Sequence, residues 1–225
     1  MPNTARPAPS PRAASPLNIA LIGFRGAGKT AVSTALAETL GSARYSTDEE
    51  TTARAGAESV ADIVRERGWA EFRRLESECV RALAAAQDGR VIDCGGGVVE
   101  NPDNLRALAA TSLVVWIYAE LDDVLQRLFA EPLHNQRPLL GASGGARASD
   151  NTDKAHIATP KDATPSAEVM RRDITENYAR RLPLYAAAAV FTVNTSLLGV
   201  DEAAARIAEF LRAAYASSSA AAENK

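Results

Sequence analysis

Residues 23–30 read Gly-Phe-Arg-Gly-Ala-Gly-Lys-Thr and fit the pattern GxxxxGK[ST], with an apolar run, Leu17 to Ile22, before it and a helical pattern from Lys29 after it. Glycine tolerates the left-handed backbone that a tight loop needs. Successive N–H groups across Gly26, Ala27, Gly28 and Ala31 are therefore expected to turn inward around phosphate oxygens, with the helix N-terminus adding favourable potential for the same anion. Lys29 would neutralise the β and γ phosphates, and Thr30 would offer a hydroxyl to Mg²⁺. The chemistry is that of a nucleoside triphosphate site.

Such a loop identifies the phosphoryl donor and leaves the receiver open. Four further segments carry suitable chemistry. Trp69-Ala70-Glu71-Phe72-Arg73-Arg74-Leu75-Glu76 places two guanidinium groups in a strongly helical stretch, and Gly95-Gly96-Gly97 follows a short apolar run that ends in Asp93-Cys94. A triple glycine at the C-terminal end of a strand presents bare backbone where α/β folds bind ligands. Arg137-Pro138-Leu139-Leu140 and Arg181-Leu182-Pro183-Leu184-Tyr185 complete the set. The charged residues, with Asp48 of the acidic run Asp48-Glu49-Glu50 among them, have plainer alternatives: Arg73 in surface pairs with Glu71 or Glu76, Asp48 as a helix-starting acid, Arg181 as a helix-end cation, Arg137 as a loop cation. Trp69, Phe72 and Leu75 read as core-facing. His134 and His156 lack neighbouring ligands, and Cys79 and Cys94 are too far apart in sequence for zinc-ligand spacing, so neither pair predicts a metal centre.

The elements that must position these residues alternate. Strand patterns cover Leu17 to Ile22, Ala43 to Ser46, Val91 to Cys94, Leu113 to Tyr118 and Val190 to Val193. Helical periodicity covers Lys29 to Leu40, Val60 to Glu66, Ala70 to Ala86, Pro102 to Ala109, Leu121 to Ala130, Glu168 to Arg181 and Asp201 to Ala214. Short strands alternating with helices predict an α/β fold, a mostly parallel five-stranded sheet with helices on both faces. The 225 residues lie between one domain and two at about 150 per domain. The surplus is explained by a Pro/Ala/Ser-rich N-terminal tail at 1–16, a polar Gly/Pro-rich loop at 141–168 and a small-residue tail at 216–225, all expected to lack regular structure, which leaves one domain over 17–215. Twenty-five basic against 28 acidic residues give a net charge of −3, which argues against a nucleic-acid binder working by general positive charge. No apolar run approaches the ~20 residues of a membrane span. A soluble protein of a reducing, cytoplasmic interior is expected.

Taken in order, GFRGAGKT, Ser46-Thr47-Asp48, GWAEFRRLE, VIDCGGGVV, RPLL and RRLPLY resemble the shikimate kinase family of P-loop proteins from about Leu17 to Thr195. The resemblance implies a three-layer P-loop kinase fold with strand order 2-3-1-4-5. It also implies ATP-dependent phosphorylation of the 3-hydroxyl of shikimate, with ATP and shikimate as the partners and a monomer as the working form. On this reading Lys29, Asp48 and Arg137 are catalytic. Asp48 holds the acceptor hydroxyl, Arg73 and Arg181 grip its carboxylate, and Gly95, Gly96 and Gly97 line the acceptor. The nucleotide falls to residues 26–31, Gly26, Ala27, Gly28, Lys29, Thr30 and Ala31, with Arg137 reaching its phosphates from the lid. Alternatives are a related kinase for another hydroxylated acid and a nucleotide or shikimate sensor without turnover.

Three departures from the family pattern matter. The family's Asp-Thr-Asp turn is Ser46-Thr47-Asp48 here, so one metal-side carboxylate is missing. Asp93, after two apolar residues as in a Walker B strand, is the candidate replacement, giving Thr30 and Asp93 as the Mg²⁺ side, and its plainer alternative is a strand-end acid paired with a nearby cation. The stretch after RPLL is longer than the family's lid, and Arg127 is the candidate on the adenine side.

Overall fold

The structure is a computed structural model in which residues 17–130 and 166–223 are described, with side chains through 214. Five strands, β1 (Asn18–Ile22), β2 (Arg44–Ser46), β3 (Val91–Asp93), β4 (Ser112–Tyr118) and β5 (Phe191–Asn194), form one sheet in the order β2-β3-β1-β4-β5. All four pairings are parallel. The central strand β1, Asn-Ile-Ala-Leu-Ile, is buried at every position, as a strand flanked on both sides and covered on both faces must be. Asn18, its one polar side chain, donates to the carbonyls of Ala84 and Ala86.

Among the described residues seven α-helices accompany the strands: α1 (Lys29–Leu40), α2 (Thr47–Ala55), α3 (Val60–Ala85), α4 (Pro102–Thr111), α5 (Leu121–Ala130), α6 (Ala167–Ala188) and α7 (Val200–Glu223). In the packing, α1 lies against α7, and α3 against both α2 and α4. Among the described residues no helix is long and apolar enough to cross a membrane. Because the strands are parallel, their C-terminal ends share one edge. Five connections emerge there: the Gly23–Gly28 loop after β1, α2 after β2, Gly95–Gly97 after β3, Ala119 and Glu120 after β4, and Thr195 after β5.

Four elements differ from the sequence reading. The two helices expected from Val60 and from Ala70 meet as α3, broken at Gly68, whose φ of 81° and ψ of 167° only glycine adopts readily. Helix α2 carries little apolar periodicity, and its start comes from capping instead. Ser46 Oγ accepts from the Glu49 amide, and Asp48, Glu49 and Glu50 sit in the first turn where the helix dipole favours acids. Helix α6 runs through Pro183 to Ala188, so Arg181 lies inside the helix and is not its C-terminal cation. Tyr185, in the added turn, is buried and donates its hydroxyl proton to the Gly96 carbonyl at 2.6 Å, which ties the extension to the loop after β3. Finally, α7 continues to Glu223, into the stretch expected to fray.

Among the described residues the buried apolar side chains divide into two clusters. The large one runs through the sheet and the helices around it, whereas a small one joins α2 to the first half of α3 through Ala55, Val60, Ile63, Phe72 and Leu75.

Candidate active site

The loop from Gly23 to Gly28 takes its shape from three glycines with positive φ. Gly23 is the most constrained: a Cβ there would lie 2.2 Å from the Ile117 carbonyl oxygen of β4, at φ 151°. Glycine is what allows the loop to leave β1 against its neighbour strand. Helix α1 then begins without a side-chain cap, which leaves its first amides for an anion. Lys29 Nζ bonds the Phe24 carbonyl across the loop at 3.0 Å, and Lys29 borders a cavity of about 560 Å³ together with Gly26, Gly28, Thr30 and Ala31. Ala27 serves the loop itself, its amide bonding the Phe24 carbonyl.

Arg127 of α5 borders the same cavity. Its guanidinium donates to the carbonyls of Gly26 and Thr195, at 3.1 and 2.9 Å, so it fastens the loop to the segment after β5. Thr195 adds a second tie, its hydroxyl donating to the Ala27 carbonyl at 2.8 Å.

On the other side of Lys29, Thr30 Oγ1 donates to Asp93 Oδ2 at 2.9 Å, and Arg44 Nη2 donates to the same oxygen at 3.0 Å. The parallel register sets Ser46 of β2 beside Asp93 of β3. The expected exchange of a carboxylate between these two positions is therefore a sideways step of one strand. A hydroxyl and a carboxylate are hard oxygen donors suited to Mg²⁺, and both border the large cavity. Among the described residues no group of three or more His, Cys, Asp or Glu side chains could hold a metal. An ion at this place would draw its remaining ligands from water and phosphate, as Mg²⁺ commonly does.

A second, smaller cavity lies beyond the first. Arg73 and Arg181 border it, from helices far apart in sequence, along with Glu76, Gly96 and Gly97. Arg25, Asp48 and Gly96 border both cavities, so Asp48 stands where the two meet. The three glycines have separate tasks. Gly97 lies under Arg73, where a Cβ would come within 2.4 Å of the guanidinium. Gly95 lies under two acids, where a Cβ would be 2.7 Å from Asp48 Oδ1 and 2.8 Å from Glu76 Oε1. The Gly95 amide is spent on Thr47 Oγ1 at 2.7 Å, and Gly95 borders neither cavity, unlike its neighbours.

Charged groups interlock around the smaller cavity. Arg73 Nη1 donates to Glu76 Oε2 at 2.6 Å, and its guanidinium lies over the rings of Trp69 and Phe72. The two aromatics thus pack a charged group as well as the core. Glu100 Oε2 accepts from both Arg73 Nη2, at 3.3 Å, and Arg181 Nη2, at 2.9 Å. The two acids titrate in opposite directions. Burial pushes the Glu76 carboxyl above its ordinary value of 4.5 despite the opposing Arg73 charge. At Glu100 burial also opposes ionisation, but the charges of Arg181, Arg180 and Arg73 outweigh it and hold the carboxyl low.

Lys29, Thr30, Asp48, Arg73, Asp93, Gly96, Gly97, Arg127 and Arg181 all border one cavity or the other. Arg137, the long loop after it and both histidines lie outside the described residues. Sequence reasoning missed Glu76 as a buried group, and Thr47, Thr195, Arg44 and Glu100 altogether. Glu76 had a usable signal, since it falls one turn after Arg73 on the same helix. Glu100 had none: it is 27 residues from Arg73 and 81 from Arg181. Cys79 and Cys94 are buried free thiols.

The family model for shikimate kinase matches residues 25–212. A shikimate kinase of Dehalococcoides mccartyi is 35% identical over 195 residues, covering 87% of this chain and 93% of the relative. One of Symbiobacterium thermophilum is 46% identical over 124 residues, 55% of this chain and 70% of the relative. Among solved structures, a shikimate kinase of Acinetobacter baumannii in complex with shikimate superposes with a TM-score of 0.70 at 26% identity, over 88% of this chain and 94% of that one. With the phosphate loop, the paired arginines and the glycine run joined by similarity of this extent, the chain belongs to the shikimate kinase family.

Proposed function

We propose that the chain transfers the terminal phosphoryl group of ATP to the 3-hydroxyl of shikimate, giving shikimate 3-phosphate and ADP, with the larger cavity taking the nucleotide and the smaller one the acceptor. The observation that carries this is the position of Asp48 at the junction of the two cavities. A phosphoryl group must cross from donor to acceptor there. In the transfer, the bond from the acceptor oxygen to the γ-phosphorus forms as the bond to the β–γ bridging oxygen breaks, and the hydroxyl proton passes to the Asp48 carboxylate. Lys29 and the amides of the loop and of the first turn of α1 hold the phosphates in line. Arg73 and Arg181 fix the carboxylate through paired donors, which sets the distance from that carboxylate to the reacting hydroxyl. Gly96 and Gly97 give the acceptor ring close backbone approach.

Thr30 and Asp93 are the residues that would hold Mg²⁺, whose chemistry is to neutralise charge on the phosphate oxygens. Arg127 flanks the nucleotide, and Arg137 reaches its phosphates from the chain beyond α5. We place the working unit in one domain over 17–215, with 141–168 as its extended lid segment, acting as a monomer in the cytoplasm.

The test is ADP release from ATP with shikimate, with gluconate in its place, and with no acceptor. Release that requires shikimate is expected. Release that ignores the acceptor, or that prefers gluconate, rejects the substrate, and nucleotide binding without turnover on any acceptor points to a sensor.

A further inference from the structure

We propose that Glu100 is a positioning residue of the acceptor site, whose carboxylate sets the Arg73 and Arg181 guanidinium groups at the spacing that receives an acceptor carboxylate. This rests on the acceptor reading given above for the smaller cavity. The two arginines come from α3 and α6, which have no covalent reason to keep a fixed separation. A single atom, Glu100 Oε2, accepts from both Nη2 groups, at 3.3 and 2.9 Å. One shared oxygen fixes the two forks relative to each other more closely than two separate partners could.

Glu100 is itself held. It closes the 3-10 turn Val98–Glu100, with its amide bonding the Gly97 carbonyl at 3.1 Å, and Gly97 is the residue on which the Arg73 guanidinium lies. Its other oxygen, Oε1, pairs with Arg180 Nη1 at 2.5 Å. Both ends of the carboxylate are thus tied, one outward to Arg180 and one inward to the two arginines.

Glu100 does not border the smaller cavity, whereas Arg73 and Arg181 do. It acts through them. Arg181 is 1% exposed, and among the described residues Glu100 is the carboxylate it pairs with. Without that partner a buried cation would stand beside a second cation, and the two would separate or draw in water. With it, Arg181 still has a donor to give: its buried Nε has no hydrogen-bond partner among the described residues. Glu100 therefore neutralises the two arginines without itself lining the cavity that they border.

Steady-state kinetics and thermal unfolding of the wild type, Glu100→Gln and Glu100→Asp test this. Gln keeps the shape and removes the charge, so the shikimate KM should rise about tenfold or more while the ATP KM and kcat change by less than about twofold. Asp keeps the charge on a shorter stem and should recover part of that loss. A folded E100Q with an unchanged shikimate KM overturns the inference, a lowered one shows that Glu100 competes with the acceptor for the arginines and overturns it as well, and an equal rise in the ATP KM marks a general structural role. If E100Q melts below the assay temperature, E100D decides alone, and an unchanged shikimate KM there rejects the proposal. Failure of the wild type to turn over shikimate would appear before any variant is compared and would reject the acceptor reading itself.

Discussion

Ser46 and Asp93 occupy partnered positions on adjacent strands, so the carboxylate that the family carries on the first strand can act from the second at a displacement of about one strand spacing, ~4.8 Å. Thr30 already bonds Asp93, which holds the hydroxyl and the carboxylate together at the edge of the larger cavity. Asp93→Ala should raise the Mg²⁺ concentration needed for half-maximal ADP binding, read by calorimetry, by about tenfold. Adding Ser46→Asp should recover much of that loss, because aspartate caps a helix as well as serine does and α2 would keep its start. A D93A protein with an unchanged Mg²⁺ titration removes Asp93 from the metal side. The acids beside the arginines make a second residue-scale prediction. Glu76 has a folded pKa raised above 4.5, so its contribution to stability is fully present below that pH and is lost as pH rises through the folded value. Glu100 has a lowered one, and its contribution is present above 4.5 and lost as pH falls through the folded value. Urea unfolding across pH should therefore show wild type losing stability relative to Glu76→Gln as pH climbs, and relative to Glu100→Gln as pH drops. The same slope for both variants would contradict these environments.

At the scale of elements, the backbone turns are fixed by close approach rather than by propensity alone. Gly23→Ala would drive a Cβ into the Ile117 carbonyl at 2.2 Å, and the loop could relieve this only by moving off β4. Loss of nucleotide binding and a destabilisation of about 2–4 kcal/mol are expected, measured by ADP titration and urea unfolding. Gly97→Ala is different in kind, because the clashing atoms are the far end of the Arg73 side chain. That variant should fold, bind ADP normally and raise the shikimate KM several-fold; an altered ADP affinity instead would show that the loop after β3 has shifted as a whole. Helices α1, α4 and α7 were legible because their apolar residues recur at helical spacing. Helix α2 was hidden because a capping serine and three first-turn acids define it, with few apolar residues to give a period. The passage of α6 through Pro183 was hidden too, since a proline removes one helical hydrogen bond and only a tertiary anchor such as Tyr185 on Gly96 makes the extra turn worthwhile.

At the scale of the molecule the apolar clusters are unequal: among the described residues five buried apolar side chains join α2 to α3, against thirty-five around the sheet, so the side of the smaller cavity should open at lower free energy than the side of the larger one. Hydrogen exchange should find amides over 47–67 exchanging faster than those of β1, β3 and β4, with shikimate slowing the former selectively; uniform exchange across both regions would argue for a single cooperative unit. The fold class, the glycine loop before α1 and the family were determined by the sequence itself, because each is encoded locally, in strand and helix periods, in a contiguous glycine pattern or in motifs that keep their order along the chain. Tertiary structure alone decided which charges share an atom. Asp93 meets Thr30 and Arg44 because a parallel register brings their strands and helix together, and Glu100 meets Arg73 and Arg181 because a short turn after β3 is packed against α6 and lies beside α3. Such partnerships depend on the angles and separations of whole elements, which no spacing in the linear chain records.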